Sequence, residues 1–411
     1  MTSPVVALVG TLDTKGDEYA YLRDRIREAG ASTLLIDAGV LGRPGVTPDI
    51  TRQAVAEAAG RRVADLAAAG DRAVALGVMG HGVGEILAEL VESGRCSGVL
   101  AAGGSGGTSL AVRAFSRLPF GLPKMIVSTQ VASAGGALAG GSDVLLMSSV
   151  ADVAGLNRLT RRVLSNAAAA IAGAVRAAPV PAGDRSLAFA SMLGLTTRGV
   201  TAARARLQEA GYEVVTFHAT GEGGRTMERL IGPMSVSAML DLTTVEIADE
   251  VVGGTKPAGG DRLRTAGRLG VPQVVSTGGT DMVRFGPRES VPEHFGDRVF
   301  HVHNELVTLM RTSPEECIEI GRVIGARLAK AMGPAVLMLP LRGSSGIAGE
   351  GGPFHDPAAD MALAEGLRES LAGSDAEIVR LDTDINHPAF SQAAAARLLA
   401  ISDRNDRAEG Q

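Results

Sequence analysis

The feature that most constrains the fold of this chain is a glycine-rich loop at residues 103–107. A short apolar run at residues 98–102 precedes it and is typical of a buried strand, and residues 110–118 have the apolar spacing of a helix. A strand, a glycine loop and a helix start leave several backbone N–H groups unpaired and directed towards one point, where the helix dipole favours an anion. The loop therefore fits a phosphate. It equally fits a plain tight turn, because it matches neither the P-loop nor the Rossmann GxGxxG spacing.

Strands and helices are predicted to alternate along the whole chain. Compact apolar runs predict strands at residues 5–9, 32–36, 73–78, 98–102, 124–128 and 143–147, and in the second half at 186–193, 212–217, 300–304, 337–339 and 378–381. Helical spacing predicts helices between them, among others at residues 17–29, 51–68 and 156–178. This alternation predicts an α/β fold with two Rossmann-like domains, each a doubly wound, mainly parallel sheet, that face each other across a cleft.

The boundary between the two domains is predicted in the proline-rich segment 178–184. It gives a nucleotide-binding domain at residues 1–180 and a second Rossmann-like domain with polar strand-end loops at residues 185–411. The two halves carry similar patterns, which pair residues 14–16 with 197–199, residues 83–86 with 244–247, and residues 102–108 with 276–280.

The composition argues against several classes of protein. The 411 residues carry a formal net charge of −5 and no basic stripe with interleaved aromatic residues, so nucleic-acid binding is not expected. No apolar run is expected to reach the length of a membrane span, and the N-terminus lacks the basic region of a signal peptide. Cys96 and Cys317 have neither disulfide nor metal spacing, which suits a reducing cytosol. The sequence therefore predicts a cytoplasmic protein without nucleic-acid or membrane partners.

Candidate binding residues in the first half follow the predicted strands. A cation at Lys15 would meet a phosphate or remain solvated. Asp37 ends a strand, where an acid can hydrogen-bond a ribose hydroxyl or cap the following turn. His81 follows the strand predicted at residues 73–78, where it would line the site or be structural. The candidate nucleotide-binding residues are Gly10, Thr11, Asp13, Thr14, Lys15, Asp37, Gly80, His81, Gly103, Gly104, Ser105, Gly106, Gly107 and Thr108.

Candidate catalytic residues lie in the second half. His301 and His303 alternate on a predicted strand and should point to the same side. Asp281 follows a strand, and Arg342 lies in a glycine- and serine-rich loop, where it would clamp an anion or form a surface ion pair. Together with Asp281, His355 or Asp356, the two histidines could ligate a metal. No HExxH or comparable spacing is present, so no dedicated metal site is predicted. Mg²⁺ that enters with a nucleotide needs few protein ligands.

Several segments together resemble the UPF0261 family, the Tm-1-like ATP-binding domain family. They read A-L-V-G-T-L-D-T-K-G-D-E, A-A-G-G-S-G-G-T, S-T-G-G-T-D-M, L-P-L-R-G-S-S-G and G-G-P-F-H-D-P. The resemblance covers residues 5–399. It implies two Rossmann-like subdomains, ATP binding with Mg²⁺, and a homodimer.

Three functions are compatible with these residues. The first is an ATP-binding protein, acting as a phosphoryl- or acyl-activating enzyme on a small-molecule acid, with phosphates on residues 103–108 and a second ligand near Asp281, His301, His303 and Arg342. The second is an interaction module that ATP closes without turnover, which the missing strong catalytic motif favours. The third is a sugar-nucleotide enzyme built from two facing Rossmann domains.

Overall fold

The computed structural model describes residues 3–178 and 183–409 of the chain. The chain divides into two compact units, residues 1–181 and 182–411. The linker predicted at residues 178–184 falls largely on residues 179–182, which lie outside the described residues.

The first unit contains a five-stranded parallel sheet. Its strands are β1 (Val5–Gly10), β2 (Ser32–Asp37), β3 (Gly98–Gly103), β4 (Lys124–Ser128) and β5 (Leu145–Ser148), in the spatial order β2-β1-β3-β4-β5. This order is that of a flavodoxin-type doubly wound sheet, in which the strand order reverses between β1 and β3. The predicted α/β architecture is confirmed.

Helices cover both faces of this sheet. They are α1 (Leu12–Glu28), α2 (Arg52–Ala58), α3 (Val63–Ala69), α4 (Arg72–Glu92), α5 (Ser105–Phe115), α6 (Val131–Ala139) and α7 (Arg158–Ala174). Tyr19, Leu22 and Leu164 pack from α1 and α7 onto one face, and Met79 and Leu110 pack from α4 and α5 onto the other. The two faces thus carry separate buried cores.

The strand predicted at residues 73–78 is wrong, because this segment begins helix α4. A short apolar run fits a buried strand and a buried helix alike. Here Asp71 is the N-cap of a helix, because its carboxylate accepts a hydrogen bond from Val74 N at 3.0 Å. Helix α4 is long and apolar enough to cross a membrane by length and composition alone, contrary to the expectation from the sequence. Its Met79, Val83 and Leu87 pack in the core of the first unit instead.

The second unit contains nine strands and seven α-helices within the described residues. The strands are β6 (Leu187–Met192), β7 (Glu213–His218), β8 (Ala238–Thr243), β9 (Gln273–Gly278), β10 (Met282–Phe285), β11 (Phe300–Asn304), β12 (Val307–Arg311), β13 (Ala335–Pro340) and β14 (Glu377–Leu381). The helices are α8 (Thr197–Glu209), α9 (Glu222–Leu230), α10 (Val245–Val252), α11 (Thr265–Arg268), α12 (Pro314–Leu328), α13 (Pro357–Leu371) and α14 (Pro388–Glu409). Short 3₁₀ turns occupy Gly194–Thr196, Arg288–Ser290 and Glu293–Phe295.

Six of these strands form a parallel sheet in the order β14-β13-β9-β8-β6-β7, and β10, β12 and β11 form a small antiparallel sheet. Read from β7, the parallel sheet repeats the strand order of the first unit and adds β14 at its edge. Strand β8 is therefore the equivalent of β3, and β9 is the equivalent of β4. The predicted pairing of residues 102–108 with 276–280 is displaced by one strand, and Glu85 lies inside α4 whereas Glu246 lies in the first turn of α10.

Candidate functional site

A cavity of about 670 Å³ lies in the first unit, where the parallel strands have their carboxyl ends. Loops that follow all five strands contribute to it, and so do α3 and the start of α4. Open α/β sheets bind ligands at this edge, next to the point where the strand order reverses. The lining residues are Thr11, Asp13, Thr14, Lys15, Ala38, Val40, Leu41, Leu66, Ala67, Gly70, Asp71, Arg72, Ala75, Leu76, Gly104, Ser105, Gly106, Gly107, Thr129, Gln130 and Asp152.

The glycine loop forms the N-terminus of α5 within this cavity. Gly104 is the N-cap, and the first bond of the helix runs from Thr108 N to Gly104 O at 3.0 Å. The N–H groups of residues 105–107 therefore have no partner inside the helix. A Cβ on Gly106 would lie 3.0 Å from the Arg72 guanidinium, so glycine lets the loop approach that cation closely. This is the geometry of an anion site.

Two cationic side chains line the same cavity. Lys15 interrupts the helical geometry of α1 with φ −134° and ψ 31°, and its Nζ donates a hydrogen bond to Val153 O. Arg72 is the first residue of α4 and is exposed. No carboxylate among residues 3–178 and 183–409 forms an ion pair with Arg72. The sequence predicts Lys15 at this site but not Arg72. Arg72 was missed because the start of α4 was predicted to be a strand at residues 73–78.

Asp13 and Asp37 belong to a buried network around Arg52. Arg52 Nε lies 2.7 Å from Asp37 Oδ2, and its Nη1 lies 3.7 Å from Asp13 Oδ2. Asp37 Oδ1 also accepts hydrogen bonds from Leu12 N at 3.2 Å and Gly39 N at 2.9 Å. Asp37 was predicted either to bind a ribose hydroxyl or to cap the following turn. Its carboxylate oxygens bind the backbone of that turn and Arg52, which is the second of these roles.

The loop after β2 forms an apolar wall of the cavity. Val40 and Leu41 line it from this loop, and Leu66 and Leu76 line it from α3 and α4. The side chain of Asp13 holds the loop in place by accepting hydrogen bonds from Leu41 N at 3.1 Å and Gly42 N at 3.3 Å. Leu41 is nevertheless 83% exposed, so it has apolar area that a ligand can cover.

Besides Asp37, five of the predicted binding residues do not line this cavity. Thr108 uses its hydroxyl on Ser128 Oγ at 2.6 Å and on Gly104 O at 2.8 Å. His81 lies in the middle of α4, where its Nε2 is 3.5 Å from Glu85 Oε1, and not at a strand end. The other three are glycines that sit against neighbouring atoms, and they are Gly10 beside Tyr19, Gly80 beside Leu110 O and Gly103 beside Gly107.

Four further predicted residues line the cavity, namely Thr11, Thr14, Ser105 and Gly107. Thr11 and Thr14 place their hydroxyl oxygens 2.9 Å apart at the start of α1. Ser105 is exposed and, with Gly107, belongs to the unbonded first turn of α5. Thr129, Gln130 and Asp152 also line the cavity but were not predicted there; they follow β4 and β5, at the sheet edge where the rule for open sheets would have indicated them.

The candidate catalytic residues of the second unit already have partners there. Asp281 is buried, and its carboxylate accepts hydrogen bonds from Ser344 Oγ at 2.9 Å and Ser345 Oγ at 2.8 Å. Burial raises the pKa of the Asp281 carboxyl, and the nearby Arg311 opposes that shift. Arg342 is exposed and pairs with both carboxylate oxygens of Asp382 at 2.7 and 2.8 Å, which is the surface ion pair weighed for it.

The two histidines do not form a metal site with these residues. A β-bulge between Val302 and Asn304 interrupts the alternation that would place His301 and His303 on one side. His301 packs edge-on against Phe354, with ring centroids 6.4 Å apart. Among the described parts of the chain, no group of three or more His, Cys, Asp or Glu side chains is placed to hold a metal ion.

The second unit instead contains a fully buried guanidinium, that of Arg262. Its Nε lies 2.6 Å from Glu246 Oε2, its Nη2 lies 2.8 Å from Asp241 Oδ1, and its Nη1 lies 3.7 Å from Glu228 Oε1. These carboxylates raise the pKa of Arg262 against the effect of burial, which lowers it. The sequence reasoning missed this network, since Arg262 lies in a loop far along the chain from its partners.

The fold and the cavity define a two-unit, doubly wound α/β protein with a candidate anion site at the carboxyl ends of the first sheet. Two family models match the chain, the Uncharacterised protein family (UPF0261) N-terminal domain at residues 4–179 and the UPF0261 C-terminal domain at residues 185–402. The chain belongs to the UPF0261 family.

Relatives in bacteria and in a plant support this assignment. The chain is 42% identical over 400 residues to a UPF0261 protein of Clostridium tetani, covering 97% of this chain and 99% of the relative. It is 34% identical over 436 residues to the ToMV resistance protein Tm-1(GCR237) of Solanum lycopersicum, covering 100% of this chain and 57% of Tm-1. The family resemblance read from the sequence is thus confirmed.

Solved structures give only weak likenesses. A UDP-N-acetylglucosamine 2-epimerase from Rickettsia bellii is 14% identical with a TM-score of 0.23, over 67% of this chain and 79% of that chain. A putative UDP-N-acetylglucosamine 2-epimerase from Listeria monocytogenes is 12% identical with a TM-score of 0.23, over 97% and 96% of the two chains. Likenesses of this size carry no information on ligand or reaction.

Proposed function

We propose that the first unit binds a nucleotide, ATP with Mg²⁺, in the cavity at the carboxyl ends of its sheet. The observation that carries this proposal is the unpartnered polar set on one side of the cavity. It consists of the N–H groups of residues 105–107 and the guanidinium of Arg72. Phosphate is the anion that such a set binds best, because it accepts several hydrogen bonds and carries charge.

The apolar side chains that line the cavity suit the rest of a nucleotide. Val40, Leu41, Leu66 and Leu76 offer apolar area to a base, and binding would cover the exposed side chain of Leu41. Pockets of a few hundred cubic ångströms with an apolar wall and few polar groups are typical of small-molecule sites. The oxygen donors at the polar end are of the kind that Mg²⁺ prefers.

The proposal is tested by isothermal titration of the purified protein with ATP, with inorganic phosphate, UDP-glucose and NAD as comparison ligands. Arg72→Gln should weaken ATP binding by about 10- to 100-fold, since it removes a charged hydrogen bond to phosphate. Arg62→Gln is the matched control, because Arg62 is also exposed, precedes α3 and does not line the cavity. Its ATP affinity should stay within about twofold of the original chain.

Two results would argue against the proposal. If ATP does not bind the unaltered protein, the cavity serves another ligand. If ATP binds but Arg72→Gln and Arg62→Gln behave alike, the nucleotide lies elsewhere. Release of ADP or AMP in the same samples, with and without candidate small acids, then separates an ATP-dependent enzyme from a module that ATP regulates without turnover.

A further inference from the structure

Three carboxylates line the cavity in the first unit, and two of them already accept hydrogen bonds from backbone N–H groups of the protein. Asp13 accepts hydrogen bonds from two backbone N–H groups of the loop after β2, and Asp71 caps helix α4. Asp152 lies in the loop after β5 and is exposed. No other described residue donates a hydrogen bond to the Asp152 carboxylate or pairs with it.

This free carboxylate faces the proposed phosphate site. A Cβ on Gly104, the N-cap of α5, would lie 3.9 Å from Asp152 Oδ1 and 3.9 Å from Thr129 Oγ1. Both oxygens therefore lie beside the N-cap of α5. A phosphate bound to the first turn of this helix would lie near a negative charge, and the repulsion between the two would weaken its binding.

The chain fixes Asp152 in this position without neutralising it. Lys15 Nζ, a neighbouring cation, donates its hydrogen bond to the carbonyl of Val153. Further along the same loop, Gly155 N donates to Glu18 Oε1 at 2.6 Å. Both bonds tie the backbone of this loop to α1, and neither of them uses the Asp152 carboxylate.

We propose that the Asp152 carboxylate and the Thr129 hydroxyl are the protein ligands of the divalent cation that enters this cavity with the nucleotide. This inference rests on the proposed nucleotide binding. A magnesium ion is commonly held by one or two carboxylates together with phosphate oxygens and water. It turns the repulsion between Asp152 and phosphate into attraction through a shared cation.

The test compares the affinity for ATP in excess Mg²⁺ with that in EDTA, by isothermal titration of the full chain. In the unaltered protein, Mg²⁺ should tighten ATP binding. Asp152→Asn should move the two affinities in opposite directions, with metal-free ATP bound roughly fivefold more tightly and Mg–ATP roughly tenfold more weakly. Thr129→Val should weaken Mg–ATP binding and leave metal-free ATP binding unchanged.

Asp71→Asn is the matched control, because it makes the same change of charge in the same cavity while asparagine preserves the cap. It should shift both affinities in the same direction. The inference is overturned if Asp152→Asn also shifts both in one direction, or if the effect of Mg²⁺ survives in both Asp152→Asn and Thr129→Val. Absence of ATP binding to the unaltered protein under either condition would overturn the proposed function itself, and this inference with it.

Discussion

Replacing Arg52 by methionine tests whether the charged network beneath the cavity supports the site. Arg52 is buried between two buried carboxylates, those of Asp13 and Asp37. Removing one partner of a buried ion pair costs about 3–5 kcal/mol, because it leaves a charge without compensation. Both carboxylates keep hydrogen bonds from backbone N–H groups, so we expect a value at the lower end, about 3 kcal/mol.

The measurement is amide hydrogen exchange, because the chain has two units and a single unfolding curve would mix them. A loss of about 3 kcal/mol corresponds to roughly 100-fold faster exchange of the most protected β1 and β2 amides. Peptides of the second unit serve as the internal reference. Arg62→Met, at an exposed position, should change protection by less than about 0.5 kcal/mol.

The double variant Arg52→Met with Asp37→Asn separates charge from packing. If the cost arises from uncompensated charge, removing the Asp37 charge should recover part of the protection lost in Arg52→Met. ATP affinity should fall in the single variant, since Asp13 holds the loop that carries Leu41. Unchanged protection in Arg52→Met, or a double variant that is simply additive, would refute this account of the network.

Two further predictions concern the second unit and the thiols. Arg262→Met should lower the free energy of unfolding of the second unit by about 3–5 kcal/mol at pH 8, and by less at pH 5, as hydrogen exchange of the most protected second-unit amides can measure. Burial raises the pKa of the Glu228 carboxyl, and loss of the Arg262 guanidinium raises it further. The folded state therefore binds an additional proton, and its stability falls as the pH rises. A larger loss of stability at pH 5 than at pH 8 would contradict this. Burial also raises the pKa of Cys317 to about 11, and Cys96 is buried as well. At pH 8, iodoacetamide should therefore alkylate these two thiols in denaturant but not in the folded chain. Rapid labelling of the folded chain, detected by mass spectrometry, would contradict this.

The parallel strands were predictable because their sequences are continuous apolar runs. Strands β1, β3 and β4 follow the predicted ranges to within one residue. Helices α1 and α8 each end shortly before a glycine, which is a common helix-ending residue. Helix α4 was not predictable in the same way, since its apolar first turns resemble a buried strand and only Asp71 marks a helix start. The small sheet was predictable only in part: β11 coincides with the strand predicted at residues 300–304 and forms a hairpin with β12, whereas the pairing of β10 with β12 joins residues distant along the chain, which local pattern does not encode.

The candidate site was predictable where it depends on local order along the chain. The glycine loop and Lys15 follow strands, so the rule for open sheets brings them together. Arg72 was missed because the error in α4 moved it away from the sheet edge. The alternatives for Asp37 and Arg342 could not be resolved, because the partners that occupy them, Arg52 and Asp382, are identified by folding and not by spacing.

The repeated topology offers an internal argument for where a ligand is required. Helices α5 and α10 follow equivalent strands, β3 and β8, yet their first turns differ. The first turn of α10 carries Glu246, which accepts hydrogen bonds from Gly221 N at 2.6 Å and Gly224 N at 3.2 Å and pairs with buried Arg262. The first turn of α5 carries no acidic residue. The second unit thus directs a carboxylate from the first turn of α10 to the start of α9 and to Arg262, whereas the first turn of α5 leaves N–H groups and Arg72 available to an anion from outside.

An acidic side chain introduced by Ser105→Glu would repel a phosphate at the first turn of α5 and should therefore reduce ATP affinity, with Ser105→Gln as the uncharged control of equal size. Equal affinities in the two variants would show that the contrast between the helix starts has no bearing on ligand binding.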